Sequence, residues 1–199
     1  MILITISGLD GSGKSTQIEL LKEYLTRHKK SFWYFHAVKF SVGNLLDFRR
    51  PKYKFRTSTS IKSVTKANWL QIQLRKIALL IDIFRFKKLL KKIKVNYIIS
   101  DRYFYDSVVN IIYLETEFSN KSFTERFIPR PEYAFYLKVN PETIMQRERK
   151  PDQGMEYLAA KEKIYNSKIK NWNMIVIDGK RDKDKVFQDI KSKFQINPK

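Results

Sequence analysis

The 199-residue sequence contains no cysteine, which excludes disulfide bridges and thiol-ligated zinc sites. It also contains no run of 18 apolar residues, so we expect no membrane-spanning helix. The chain opens on an apolar segment that is typical of a strand, so we expect no signal peptide. The absence of cysteine fits a cytoplasmic protein. What remains is a globular chain that is long enough for one domain with a buried core.

Acidic residues are the scarce charge. Asp and Glu number 20 against 40 Lys and Arg, which gives a net charge of +20. The imbalance lies mainly in residues 1–100, and the segment from Arg49 to Lys66 holds seven basic residues and no acidic one. Such a field attracts polyanions, so contact with nucleic acid is one hypothesis. A solvated basic surface is the simpler alternative.

Glycine is scarce too, yet three of the six glycines fall between Gly8 and Gly13. The run from Gly8 to Thr16 fits the pattern G-x-x-x-x-G-K-[ST]. Residues 2–6 before it are typical of a buried strand, and residues 17–28 after it have the apolar spacing of a helix. A glycine-rich turn between a strand and a helix N-terminus directs backbone N–H groups toward phosphate.

This run predicts a nucleoside triphosphate site. Lys14 is placed to reach the β- and γ-phosphates, and the Ser15 hydroxyl is placed to ligate Mg²⁺. A glycine turn without a ligand is the alternative, and the flanking strand and helix argue against it. The residues expected to bind the nucleotide are Gly8, Asp10, Gly11, Ser12, Gly13, Lys14, Ser15 and Thr16.

Apolar runs alternate with helical patterns along the rest of the chain. Strands are predicted at residues 2–6, 32–38, 97–100, 134–139 and 174–178. Helices are predicted at residues 17–28, 66–94, 103–117, 141–149, 155–172 and 184–194. This alternation indicates an α/β fold, a five-stranded parallel doubly wound sheet with flanking helices. We expect one domain over residues 1–199, with a basic insertion at residues 41–66.

Asp101 follows the third predicted strand directly. The carboxyl ends of parallel strands face the ligand crevice, so Asp101 is expected to organise Mg²⁺ beside the phosphates. Arg102 offers a planar guanidinium suited to a further phosphate group. A helix cap is the alternative role for Asp101. The aromatic side chains of Tyr103, Phe104 and Tyr105 have two possible roles, stacking on a base or packing in the core.

These residues resemble the thymidylate kinase family. The run from Gly8 to Gln17 is similar to the family's phosphate loop, and Asp101-Arg102-Tyr103 is similar to its Asp-Arg-Tyr motif. The segment from Arg130 to Glu142 resembles the strand and turn before the family's lid helix. Order and spacing agree from residue 1 to about residue 180.

The resemblance implies a P-loop kinase fold with a short lid at about residues 147–156, and transfer of the ATP γ-phosphate to a deoxynucleoside monophosphate, usually dTMP. It implies that Asp10 contacts the sugar 3′-hydroxyl of the acceptor. Arg102 would bind the acceptor phosphate, with Tyr103 beside it, and Asp101 would serve Mg²⁺. Some members carry an arginine inside the loop where this chain has Gly11, so Arg147 and Arg149 would supply that charge from the lid. Members are commonly homodimers.

The sequence departs from the family pattern near the acceptor base. Asp106 stands where the family usually has serine, and Asn110 and Ile111 stand at the positions that contact the base. Three alternatives therefore stay open: a deoxynucleoside kinase with Asp101 as the base, a P-loop protein that binds nucleic acid or its 5′ end, and a paralogue without efficient catalysis.

Overall fold

The computed structural model describes residues 1–42, 68–115, 123–147 and 151–194. A single sheet of five parallel strands runs through these residues in the order β2-β3-β1-β4-β5. The α/β doubly wound sheet predicted from the sequence is thereby confirmed. The strands are β1 (Ile2–Gly8), β2 (Phe32–Phe35), β3 (Tyr97–Ser100), β4 (Tyr133–Lys138) and β5 (Ile175–Asp178).

Helices cover both faces of this sheet. Over the described residues they are α1 (Lys14–Arg27), α2 (Ala37–Phe40), α3 (Trp69–Leu90), α4 (Phe104–Leu114), α5 (Pro141–Met145), α6 (Gly154–Lys168) and α7 (Lys183–Lys193). A 3₁₀ turn spans Phe123–Phe127. No described helix is long and apolar enough to cross a bilayer.

Strand β1 shows how alternate side chains divide between two cores. Ile4 and Ile6 face α1 and α7, where they pack with Leu21 and Ile190. Leu3 points to the opposite face, which α3, α4 and α6 cover. This period of two is the geometry of any strand, and it leaves β1 buried on both sides.

The predicted bounds differ from the structure where a side chain ends an element. The strand predicted at residues 32–38 stops at Phe35, because the His36 imidazole accepts the Lys39 amide at 3.3 Å and starts α2. The helix predicted at 141–149 is the shorter helix α5, which ends at Met145. The Arg147 amide then donates to the Ile144 carbonyl, three residues back.

The helix predicted at 155–172 also has a different end, because α6 ends at Lys168 rather than Trp172. The Trp172 ring instead stacks on Tyr105 at 4.4 Å between centroids, and its indole N–H donates to Glu125. The basic insertion predicted at 41–66, apart from Ser41 and Val42, lies outside the described residues, as do Arg149 and Lys150.

The strand register brings the expected site residues to one edge. Phe35 of β2 pairs with Ser100 of β3, and Gly8 of β1 pairs with Leu137 of β4. The carboxyl ends therefore lie side by side, with the glycine-rich loop following β1 and Asp101 following β3. A ligand crevice is expected at this edge of a parallel sheet.

Candidate active site

The glycine-rich loop has a backbone that favours glycine at three positions. Gly8, Gly11 and Gly13 have φ angles of +153°, +82° and +97°. A Cβ atom at Gly8 would lie 2.8 Å from the Leu137 carbonyl oxygen, so a larger residue does not fit there. No side chain caps the N-terminus of α1, and the buried Ser12 hydroxyl has no partner among the described residues. The loop therefore offers free donors that fit a phosphate chain.

Lys14 is the first residue of α1 and is buried. Its ammonium group donates to the carbonyl oxygens of Gly8 and Leu9, at 3.0 and 2.7 Å. Burial lowers the pKa of Lys14, and the carboxylates of Asp10 and Asp106 act in the opposite direction. The ammonium thus lies inside the loop on neutral acceptors, where a phosphate oxygen would be a stronger partner.

Asp101 holds the position that the strand register predicts. Its two carboxylate oxygens accept separate hydrogen bonds, from the Ser15 hydroxyl at 3.1 Å and from the Tyr34 hydroxyl at 2.6 Å. The Tyr34 pKa is raised by its burial and by this bond. Because Ser15 and Asp101 present oxygen atoms to the same point, their chemistry fits Mg²⁺ that takes its other ligands from phosphate and water.

Asp10 lies within the glycine-rich loop and contacts two other segments, the end of β3 and helix α6. Its Oδ1 accepts a hydrogen bond from Arg102 at 2.9 Å. Its Oδ2 accepts from the Tyr157 hydroxyl at 3.2 Å and from the Lys161 ammonium at 3.4 Å. Lys161 also donates to the Tyr157 hydroxyl at 2.6 Å. The contact between Asp10 and Arg102 brings together two residues that the sequence assigns to one pocket.

The charges around Asp10 keep it ionised. Burial by itself would raise its pKa, but the cations Lys161, Lys14 and Arg102 outweigh burial and lower the pKa to about 2. The pKa of Lys161 is lowered by burial, although Asp10 opposes that shift. The cluster therefore contains an ionised carboxylate surrounded by basic groups at neutral pH.

Arg147, the second residue after α5, contacts the glycine-rich loop. Its guanidinium donates to the carbonyl oxygens of Gly11 and Gly179, at 2.5 and 3.1 Å. Its contacts in the described part of the chain include no ion pair with Asp152. Arg147 thus lies beside the glycine-rich loop.

One expectation for the acceptor side, Tyr103 beside the acceptor phosphate, needs correction. The Tyr103 ring is fully buried, and its hydroxyl donates to the Pro129 carbonyl at 2.6 Å, so this side chain packs in the core instead of facing a ligand. Phe104 and Tyr105 are buried as well. Asp106 is also internal, accepting hydrogen bonds from Ser7 and Tyr165, and burial raises its pKa.

Three polar residues of the site were missed by sequence reasoning. They are Tyr34 on β2 and Tyr157 and Lys161 on α6. For Tyr157 and Lys161 the sequence does contain a signal. Together with Tyr165 they recur every four residues, so all three lie on one helix face. We define these three residues as the α6 ladder; it contacts Asp10 through Tyr157 and Lys161, and Asp106 through Tyr165.

Comparisons with known proteins agree with this geometry. A family model described as thymidylate kinase matches residues 6–190. The chain is 26% identical over 200 residues to a probable thymidylate kinase 1 of Saccharolobus solfataricus, covering 98% of this chain and 97% of that protein. It is 27% identical over 210 residues to a thymidylate kinase of Thermosipho africanus, covering 96% of each.

A solved structure supports the fold independently. The thymidylate kinase of Candida albicans aligns with a TM-score of 0.62 and 19% identity, over 95% of this chain and 88% of that one. The matched family region includes the glycine-rich loop, the Asp101-Arg102 pair and the α6 ladder. Since the match extends over nearly the whole chain, this protein belongs to the thymidylate kinase family.

Proposed function

We propose that the protein transfers the γ-phosphate of ATP to a deoxynucleoside monophosphate, and that dTMP is the acceptor. The observation that carries this proposal is the hydrogen bond between Arg102 and Asp10, because it links an arginine at the end of β3 to the phosphate loop. One pocket then borders both substrates. Family membership and the thymidylate kinase relatives support the same reaction.

The donor nucleotide is proposed to lie on the glycine-rich loop, from Gly8 to Thr16. The free N–H groups at the start of α1 would bind its phosphates, and Lys14 would leave the carbonyl oxygens for the β- and γ-phosphates. Ser15 and Asp101 would hold Mg²⁺, with Tyr34 fixing the Asp101 carboxylate. When bound, the metal would neutralise part of the negative charge on the phosphates.

The acceptor is proposed to lie in a pocket beside Asp10 and Arg102. Arg102 would bind its phosphate and Asp10 would accept a hydrogen bond from its sugar 3′-hydroxyl. Phosphoryl transfer develops charge on the moving group, and Arg147 is close enough to the loop to stabilise that charge. Arg149 is proposed to act with Arg147 in a lid at about residues 147–156. No protein base is required, because the attacking phosphate is already an anion.

The first experiment is to measure ADP release from ATP and Mg²⁺ with dTMP, dUMP, the other nucleoside monophosphates and free thymidine. Turnover that is strongest with dTMP is the expected result. Preference for another monophosphate would keep the mechanism and change the acceptor. Turnover with thymidine alone would favour the deoxynucleoside kinase reaction, and no turnover together with salt-dependent DNA binding would contradict the proposal.

We also propose that the enzyme is a homodimer that packs through α3. Five exposed apolar residues recur on this helix at spacings of four and three, the repeat of a helix seam: Leu70, Leu74, Ile77, Ile81 and Phe84. Mass measurement in solution is expected to give a dimer, and Ile77→Glu is expected to give a monomer. A wild-type monomer would contradict the proposed assembly. A cytoplasmic location stays a prediction from the sequence.

A further inference from the structure

Lys161 is a buried cation that the proposed reaction does not yet use. The residue is 6% exposed, although this sequence is rich in surface lysines. Its ammonium group contacts the Tyr157 hydroxyl at 2.6 Å and Asp10 Oδ2 at 3.4 Å. A buried lysine requires a partner of opposite charge, and Asp10 is that partner. The partner is also the carboxylate that faces the proposed acceptor.

The two carboxylate oxygens of Asp10 have different hydrogen-bond partners. A carboxylate has two lone-pair positions on each oxygen. Tyr157 and Lys161 fill both positions on Oδ2, and Arg102 fills one position on Oδ1. Counting the partners among the described residues, one acceptor position is left on Oδ1. A group that binds in this pocket can therefore donate one hydrogen bond to Asp10.

We propose that Lys161 is a positioning residue that gives the acceptor site its selectivity for a sugar with a free 3′-hydroxyl. This inference rests on the proposed function. Lys161 and Tyr157 together fix Oδ2, so the remaining lone pair of Oδ1 has one direction. A hydroxyl at the correct place on the sugar gains a hydrogen bond to a charged group, and a sugar without that hydroxyl leaves the position empty.

A second effect of Lys161 is electrostatic. Lys161 is the largest of the cationic influences that lower the pKa of Asp10. Without it, Arg102 and Lys14 still hold the carboxylate ionised at neutral pH, but its charge is less well compensated. Removal of Lys161 therefore changes the direction and the basicity of Asp10 without removing the carboxylate itself.

The test compares two acceptors, dTMP and 3′-deoxythymidine monophosphate, in wild type and in Lys161→Met. We expect the ratio of kcat/KM between them to fall about tenfold in the variant, through a raised KM for dTMP. The KM for ATP and the kcat/KM for the 3′-deoxy acceptor are expected to change little. A purely structural lysine would reduce the rates with both acceptors by the same factor, and that result would overturn the proposal.

Lys163→Met is the matched control, because Lys163 lies on the same helix and is exposed. It is expected to keep the wild-type ratio. Lys161→Gln replaces the methionine variant if that protein does not fold, and its smaller set of donors is expected to lower the same ratio. A wild-type ratio in a folded Lys161 variant would also overturn the proposal.

A readout without turnover separates this inference from the proposed function. Titration of the ¹³C carboxyl signal of Asp10 is expected to give a higher pKa in Lys161→Met than the value of about 2 in wild type. An unchanged pKa would contradict the coupling of Lys161 to Asp10. If wild type phosphorylates neither acceptor, the proposed function fails and the selectivity fails with it, whereas an active wild type isolates the role of Lys161.

Discussion

The two sides of the site hold their cations on different partners. On the phosphate-loop side, Lys14 and Arg147 donate to neutral carbonyl oxygens. On the acceptor side, Arg102 and Lys161 donate to the Asp10 carboxylate. A phosphate competes easily with a carbonyl for a cation, but much less easily with a carboxylate. The first side is therefore arranged to release its cations to a ligand, and the second side is arranged to keep its geometry.

The largest expected effect breaks the phosphate-loop side. Lys14→Ala removes the charge that would act on the β- and γ-phosphates, and kcat is expected to fall about a thousandfold. Steady-state ADP release measures this loss, with Lys193→Ala on an exposed turn of α7 as the control. Near-normal turnover in a folded Lys14→Ala protein would refute the assignment of the loop.

Arg147→Ala tests the second cation of the same side. Its guanidinium contacts the loop carbonyl at Gly11, and we expect kcat to fall about a hundredfold while the KM for ATP changes little. Arg147→Lys keeps a charge but loses the planar fork, so an intermediate rate is expected. Unchanged kcat in Arg147→Ala would leave the lid arginine role to Arg149.

The acceptor side is expected to show its difference in acid stability. The folded-state pKa of Asp10, about 2, lies below its ordinary value of 3.8. Its ionised form therefore stabilises the fold above pH 4, by about 2 kcal/mol, and this contribution is lost as the pH falls toward 2. Denaturant unfolding of wild type and Asp10→Asn should differ at pH 7 and converge at pH 2. A difference in unfolding free energy between the two proteins that stays constant with pH would contradict the lowered pKa of Asp10.

The smallest expected effect sharpens the comparison. Arg102→Ala is expected to raise the KM for the acceptor about tenfold and to leave the KM for ATP nearly unchanged, because Arg102 contacts Asp10, which borders the proposed acceptor site. Initial rates at varied concentrations of each substrate measure both constants. Equal increases would mean that the two sides are not separable.

The sequence predicted the residues that belong to local motifs, but not the residues whose partners are distant in the chain. The positions of Gly8, Lys14 and Asp101 at one edge of the sheet follow from local sequence patterns and from the geometry of parallel strands. The partners of Tyr34, Tyr157 and Lys161 could not be predicted, because they are distant in sequence and only the packing of α6 and β2 brings them together. The spacing of four residues indicates only that Tyr157 and Lys161 share a helix face. Tyr103 was misassigned because an aromatic ring after a motif has the same sequence signal in a core as in a pocket.

The α6 ladder has a consequence for how this chain tolerates insertions and deletions. Deleting one residue between Gly154 and Tyr157 would turn the following helix by about 100° and shift it by about 1.5 Å. Tyr157, Lys161 and Tyr165 would then leave both carboxylates at once. A change of chain length within the first turn of α6 is therefore incompatible with this site, because the phase of the helix, rather than any one side chain, places all three residues.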